Sequence, residues 1–190
     1  MRGMAKLISF EERAVATLRD RLGAAESAKE DLIAFAQGHS GVTSAIHQAV
    51  LALMKADGLD AMFKVAARQW PTILGLDHAA LALVVDGRGF RVHSKGIDMI
   101  EPRLIDRAIA DLDAVTMRTT QRGHALFGAA ADQIHSEALI LISADAPLPY
   151  GLLLLGQHEA ACLDNRHGVQ LLGFLGESLS AMLRRWLMNG

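Results

Sequence analysis

Tyr150-Gly-Leu-Leu-Leu-Leu-Gly156, followed after a polar stretch by Gly168-Val-Gln-Leu-Leu-Gly-Phe-Leu-Gly-Glu177, is the part of the sequence from which the fold is read. An unbroken apolar run that starts after Pro149 and stops at Gly156 predicts a strand buried on both faces. Leu171, Leu172, Leu175, Leu179, Met182, Leu183 and Trp186 then recur at helical spacing, which predicts a long amphipathic helix beginning near Asn165. Arg184 and Arg185 sit near its end, where cations favour the negative pole of the helix dipole. No residue of this segment is of a type and spacing that suits catalysis. The pair reads as the last strand and the closing helix of a domain.

Working outward from that end, Ala138-Leu-Ile-Leu-Ile142 predicts a neighbouring strand, with the prolines of Asp145-Ala-Pro-Leu-Pro149 in the connection. Ala79-Ala-Leu-Ala-Leu-Val-Val85 is another buried strand, and Asp86-Gly-Arg-Gly89 a hairpin signal leading into Phe90-Arg-Val-His93. Before them, Leu59, Met62, Phe63, Ala66, Ala67 and Trp70 mark a helix from about Leu59 to Leu74, with Asp57 as N-cap. Pro71 predicts a kink near Gln69-Trp70, because proline removes a helical donor and crowds the preceding turn. A further helix spans Glu101 to Asp111, opened by Pro102, and Val115-Thr-Met-Arg118 predicts a short strand. Thr119 to His135 has little periodicity and is the longest loop-like stretch, the place to look for a binding pocket.

The first third reads as helical. Positions 15, 18, 22, 25, 29, 32, 36, 39, 43, 46, 50 and 53 step by three and four and are apolar except Lys29, His39 and Thr43. That is a heptad seam, and it predicts a helical or coiled-coil arm over residues 1–56 ahead of a domain over residues 57–190. Gly38-His-Ser-Gly41 marks a kink or break in it. The arm is read either as dimerising or as folding back on its own domain.

Among the 190 residues, 51% are hydrophobic and 21% charged, which describes a folded globular protein. A net charge of -2 provides no basic field for phosphate backbones, so a nucleic-acid partner is not expected. The N-terminus lacks the apolar core of a secretory signal and the lone Cys162 has no internal disulfide partner, so a cytoplasmic location is expected. No apolar run approaches the ~20 residues of a membrane helix.

The order of arm, helix, hairpin, helix, loop, hairpin and helix resembles a GAF domain. Ile46-His-Gln-Ala-Val-Leu-Ala-Leu53, Ser136-Glu-Ala-Leu-Ile140, and Gly151 to Gly156 with Gly168 and Leu175-Gly-Glu177 resemble more specifically the GAF-like bacterial proteins of domain of unknown function family 484. The likeness spans roughly residues 10 to 188. Two features depart from it: a His-Pro-rich N-terminal helical segment is absent, and Leu163 and Asn165 stand where phenylalanine and proline are usual. The resemblance implies an α+β fold, a GAF-like antiparallel sheet with helices packed on one face and a ligand cavity on the other, preceded by the long N-terminal helical arm. The family has no established activity. The resemblance therefore supports the fold, leaves the function nearly open and names no cofactor; a non-enzymatic sensory or binding module is the leading expectation, and a structural interaction module with a filled cavity the alternative.

Candidate chemistry is sparse. His158, Cys162 and His167 could supply three metal ligands, but their spacing matches no common zinc pattern and no fourth ligand is near, so no metal site is expected. There is no Gly-x-Ser-x-Gly elbow, and a single cysteine cannot run the thiol exchange of GAF-type methionine sulfoxide reductases. The Asn-Lys-Phe-Asp-Glu signature of cyclic-nucleotide-binding GAF domains is missing, and Cys162 lies in the wrong loop for a covalent bilin. No catalytic residues are therefore assigned. Met99, Met117, Phe127, His135 and Glu137 come from the elements that cover the open face in GAF-like folds, and combine pliable apolar groups with a few polar ones. They are read as lining a small-ligand pocket or as filling a core without ligand; Glu137 is also a candidate partner of Arg118 or Arg122. A homodimer through the arm and the closing helix, binding a small metabolite or a protein partner, is the functional expectation.

Overall fold

The computed structural model describes residues 19–23, 26–27, 29, 41–142, 149–160 and 166–188. Contacts divide the chain into Met1–Val42 and Thr43–Gly190, so the division falls earlier than the 56/57 boundary read from the sequence. In the first unit the described residues are helical and exposed, and most of the expected heptad arm lies outside the described residues.

The second unit is built on one six-stranded antiparallel sheet with strand order β3-β2-β1-β6-β5-β4. Its strands are β1 (His78–Val85), β2 (Arg88–His93), β3 (Gly96–Ile100), β4 (Val115–Thr119), β5 (Ser136–Ile142) and β6 (Tyr150–Gln157). The leucine run of β6 and the apolar run of β1 are the two central strands, paired from His78 opposite Gly156 to Val84 opposite Tyr150. Burial on both faces explains why neither run alternates. At Gly151, the second residue of β6, a Cβ would collide with the backbone of Ala82, so glycine is required where the central strands approach too closely for a side chain.

Asp86 and Gly87 take positive φ of 50° and 71°, forming the tight two-residue turn between β1 and β2. The edge strand β3 is not legible in the sequence, because Gly96-Ile-Asp-Met-Ile100 alternates over only five residues and its Ile97 and Met99 remain exposed.

On one face lie α1 (residues 43–54), α2 (Leu59–Lys64), α3 (Trp70–Leu74) and α5 (Arg166–Met188), packed through Ile46, Leu53, Trp70, Leu81, Leu83, Leu153, Leu155, Leu175 and Leu179. Ile46 and Leu53 of the expected seam are therefore buried in the domain's own core. Between α2 and α3, Val65–Gln69 forms a π turn ending immediately before Trp70-Pro71. The expected kink takes this form because the wider turn makes room for the proline ring, which would crowd a regular preceding turn. Gly58, with φ 101°, precedes α2 in place of an Asp57 cap.

The opposite face is covered as well, by α4 (Pro102–Ala110) and by a 3-10 segment over Ala125–Gln133, which pack on Ala80, Ala82, Val84, Leu152 and Leu154 through Ile105, Leu126, Phe127 and Ile134. Helices on one face only is thus corrected to a layer on each, thinner on this second side. Among the described residues no helix is long and apolar enough to cross a membrane.

Candidate functional site

The second face does not close completely. A cavity of about 920 Å³ lies at the end of the sheet where β1 starts, β2 ends and β3 runs along the edge, lined by the 3-10 segment of this face and by the π turn and α3 of the other. Small side chains border it: Ala80 on β1 and Ala129 and Ala130 on the 3-10 segment leave space on this face that larger residues would fill, and Ala79 borders it from the opposite face.

Strand period two aims the polar lining. Arg91 pairs with Ala82 on one side and Asp98 on the other, and since opposed residues share a face, Arg91, His93 and Asp98 all project to the cavity side while Val92 enters the opposite core. Arg91 Nη2 donates to Asp98 Oδ2, and His93 Nε2 lies 3.1 Å from the same oxygen. The Arg91 hydrogen bond holds the Asp98 carboxyl below its ordinary range, burial opposes the shift, and the His93 charge adds to it. The guanidinium runs under the 3-10 segment at Gly128, whose φ of 64° and ψ of -129° suit glycine and where a Cβ would strike Arg91.

At the lip of the cavity His78 and His158 meet, Nε2 to Nε2, at 3.0 Å with rings tilted by 56°. One imidazole must donate and the other accept, so the contact tolerates one shared proton and not two positive rings. Asp77 Oδ2 accepts the His158 backbone N–H at 2.8 Å, and Asp77 Oδ1 is 3.6 Å from His158 Nδ1. Burial pushes the His78 imidazole below its ordinary pKa and the neighbouring His158 pushes it further, against the pull of Asp77.

A second polar group sits deeper on the same face. Glu137 is fully buried, with Oε1 accepting from Arg118 Nε and Nη2 at 2.7 Å and Oε2 accepting the His124 backbone N–H at 2.6 Å. His124 in turn caps the 3-10 segment, its Nδ1 accepting the Leu126 N–H at 3.2 Å. Burial lowers the His124 pKa, and the charges of Glu137 and Arg118 act in opposite directions on it.

These two histidines set a pH dependence. Each binds its proton less readily in the folded protein than in the unfolded chain, where an imidazole titrates near pH 6.5. The unfolded state therefore holds more protons in the window just below that value, and stability rises with pH across it. The expected result is a melting temperature that is level above about pH 7 and falls as pH drops below about 6.5, with the slope reduced in His124→Gln and His78→Gln. A melting temperature unchanged down to about pH 5.5 would contradict the assignment.

Of the residues the sequence singled out, Phe127 lines the cavity, and Glu137 shares its face but is held by Arg118 and His124. His135 is half-buried and its backbone extends the ladder, N–H to Gln157 and carbonyl from Thr120 N–H, both at 2.9 Å. Met117 packs on the opposite face with the closing-helix core, and Met99 stands on the edge strand opposite Phe90, 74% exposed. Of these five residues Phe127 lines the cavity, Glu137 and the two methionines do not, and His135 contributes backbone hydrogen bonds to the ladder.

Sequence reasoning missed Arg91, His93, Asp98 and His78. The available signal was the alternation of Arg91 and His93 with Val92, but it assigns a face only once the neighbouring strand is known. Of His158, Cys162 and His167, Cys162 lies outside the described residues and His158 faces His78. Among the described residues no three His, Cys, Asp or Glu side chains converge as metal ligands.

The family described as "Protein of unknown function, DUF484" matches residues 2–188. No curated protein matches the chain. Among solved structures, the GAF domain of a phosphoenolpyruvate-protein phosphotransferase from Coxiella burnetii is similar with a TM-score of 0.59 at 14% identity, over 80% of this chain and 98% of that one. The GAF domain of a putative sensor histidine kinase from Pseudomonas syringae pv. tomato gives 0.50 at 12% identity, over 81% and 92%. A bacteriophytochrome from the photosynthetic bacterium R. palustris gives 0.55 at 13% identity, over 75% of this chain and 37% of that one. At such identities the likeness establishes the GAF fold and nothing finer.

Proposed function

This chain belongs to the DUF484 family, proteins of unknown function, and has the GAF fold; from that premise we propose that it is a non-catalytic sensory module that binds a small metabolite in the cavity between β1–β3 and the 3-10 segment. The observation that carries the reading is the cavity itself. Its volume of about 920 Å³ falls within the ~300–1,000 Å³ of small-molecule sites, and a purely structural module would fill that space with side chains. The mixed lining, apolar Phe127 and alanines beside Arg91, His93 and Asp98, suits a site that orients a ligand through a few polar contacts.

The binding event would be passed on through a homodimer formed by the helical layer. Leu51 and Met54 on α1 and Val169 and Phe174 on α5 are exposed apolar residues, and covering them in a second copy removes that surface from water. A protein partner would read the same layer. Glu137, the one fully buried carboxylate among the described residues, is engaged by Arg118 and His124, which leaves it unsuited to proton transfer.

Native mass spectrometry of the full chain purified from its own host tests both parts. The expected result is a dimer carrying a small co-purifying mass, with the mass lost and the dimer kept in Ala130→Trp, which fills the cavity. A monomer would reject the dimer, and a bound mass that survives Ala130→Trp would reject the cavity.

A further inference from the structure

Resting on the reading of this cavity as the ligand site, we infer that the ligand presents an anionic head group, a carboxylate or a phosphate monoester, carried on a compact apolar body. The charges of the lining are unequal in number and in availability. Arg68, Arg91 and Lys95 face it with only two carboxylates, Asp77 and Asp98. Asp98 is already taken by Arg91, and Asp77 receives the backbone N–H of His158 and lies beside its ring. Arg68 and Lys95 make no ion pair with any described residue. The lining is therefore rich in donors and short of free acceptors.

Arg91 Nε and His93 Nε2 are shut off from water, the latter 3.1 Å from Asp98 Oδ2. Atoms closed to water are closed to a ligand oxygen as well, so the head group is met first by the exposed cations Arg68 and Lys95. A cationic ligand would meet Arg68 and Lys95 at the cavity, and a neutral one would leave the donors as they are. Phe127, Ala79, Ala80 and Pro71 supply the apolar part of the lining for the body of the ligand. Gly128 keeps the Arg91 guanidinium in place above the sheet, since any side chain there would displace it.

Isothermal titration of the full-length protein with benzoate, phenyl phosphate, inorganic phosphate and neutral benzamide tests the inference. Benzoate or phenyl phosphate is expected to bind at one site per chain, with benzamide weaker by at least about tenfold. Tighter benzoate identifies the carboxylate, and tighter phenyl phosphate, with inorganic phosphate as its competitor, identifies the phosphate. Lys95→Met, Arg68→Met and Arg91→Met should each weaken the anion by about tenfold, the exposed Lys95 and Arg68 serving if the Arg91 variant fails to fold.

Benzamide binding as tightly as benzoate, or anion binding unchanged in all three variants, would overturn the inference. If benzamide binds, the anions do not, and Ala130→Trp abolishes the benzamide site, the cavity reading stands and the anionic head group is rejected. Failure of all four probes, together with no co-purifying mass, rejects both.

Discussion

Trp70→Ala is expected to destabilise the protein by about 4 kcal/mol, the largest effect of any single substitution considered. Trp70 is fully buried at the junction between the π turn and α3, and its indole N–H donates to the Ala49 carbonyl of α1 at 3.0 Å. Two effects add. Truncation leaves a void the size of an indole in a layer already closed by Ile46, Leu53 and Leu81, and buried tryptophan-to-alanine changes cost about 3–5 kcal/mol where neighbours cannot collapse. The hydrogen bond that ties α3 to α1 is also lost, worth about 1 kcal/mol.

Pro71 and the π turn limit relaxation, because the backbone that would have to move carries both. Chemical denaturation should show the midpoint falling, and the melting temperature should drop by roughly 8–16 °C for a chain of this size. Trp70→Phe, which keeps most of the volume, should recover more than half of the loss. A fall of less than about 1 kcal/mol in Trp70→Ala would mean that this residue does not anchor the helical layer.

Arg118→Met should cost about 3 kcal/mol, near the lower end of the range for breaking a buried pair, since the arginine itself is half exposed. The reason is the orphaned partner. Glu137 has no contact with water, and without the guanidinium its Oε1 loses both of its donors, Arg118 Nε and Nη2, and only the His124 N–H remains on Oε2. The double variant Arg118→Met/Glu137→Gln should be more stable than Arg118→Met alone, because it removes the uncompensated charge.

A local readout distinguishes this from a general loss of stability. His124 joins Glu137 to the 3-10 segment, so hydrogen exchange should rise first over residues 124–133, the roof of the cavity. Protection unchanged there, with stability lost uniformly, would show that the carboxylate does not hold that segment.

Much of the fold was legible for a physical reason that can be named element by element. The leucines of β6 and the apolar run of β1 could be read because a central strand is buried on both faces and its sequence shows it directly. The kink at Pro71 and the turn at Asp86-Gly87 could be read because they follow from local backbone chemistry. The strand β3 could not, because an exposed edge strand requires little of its side chains.

The candidate site divides along the same line. Glu137 was legible as a polar residue against a buried strand, with Arg118 among its possible partners, and β4–β5 register places the two opposite each other. Met117 and Phe127 could not be sorted onto opposite faces, since that depends on the parity of β4 relative to a segment that has no period of its own.

What the sequence alone determined is therefore whatever short-range chemistry and burial impose on a single segment: the central strands, the closing helix, the turns, and the resemblance carried by Gly151 to Glu177. What only the tertiary structure decided is which polar residues meet. His78 and His158 are 80 positions apart, and the Arg91–Asp98 pair faces a cavity roofed by Gly128 from another part of the chain. Strand pairing turns a two-residue alternation into a shared face, and the missing bulk of Ala79, Ala80, Ala129 and Ala130 becomes a volume only when the layers carrying them are brought together.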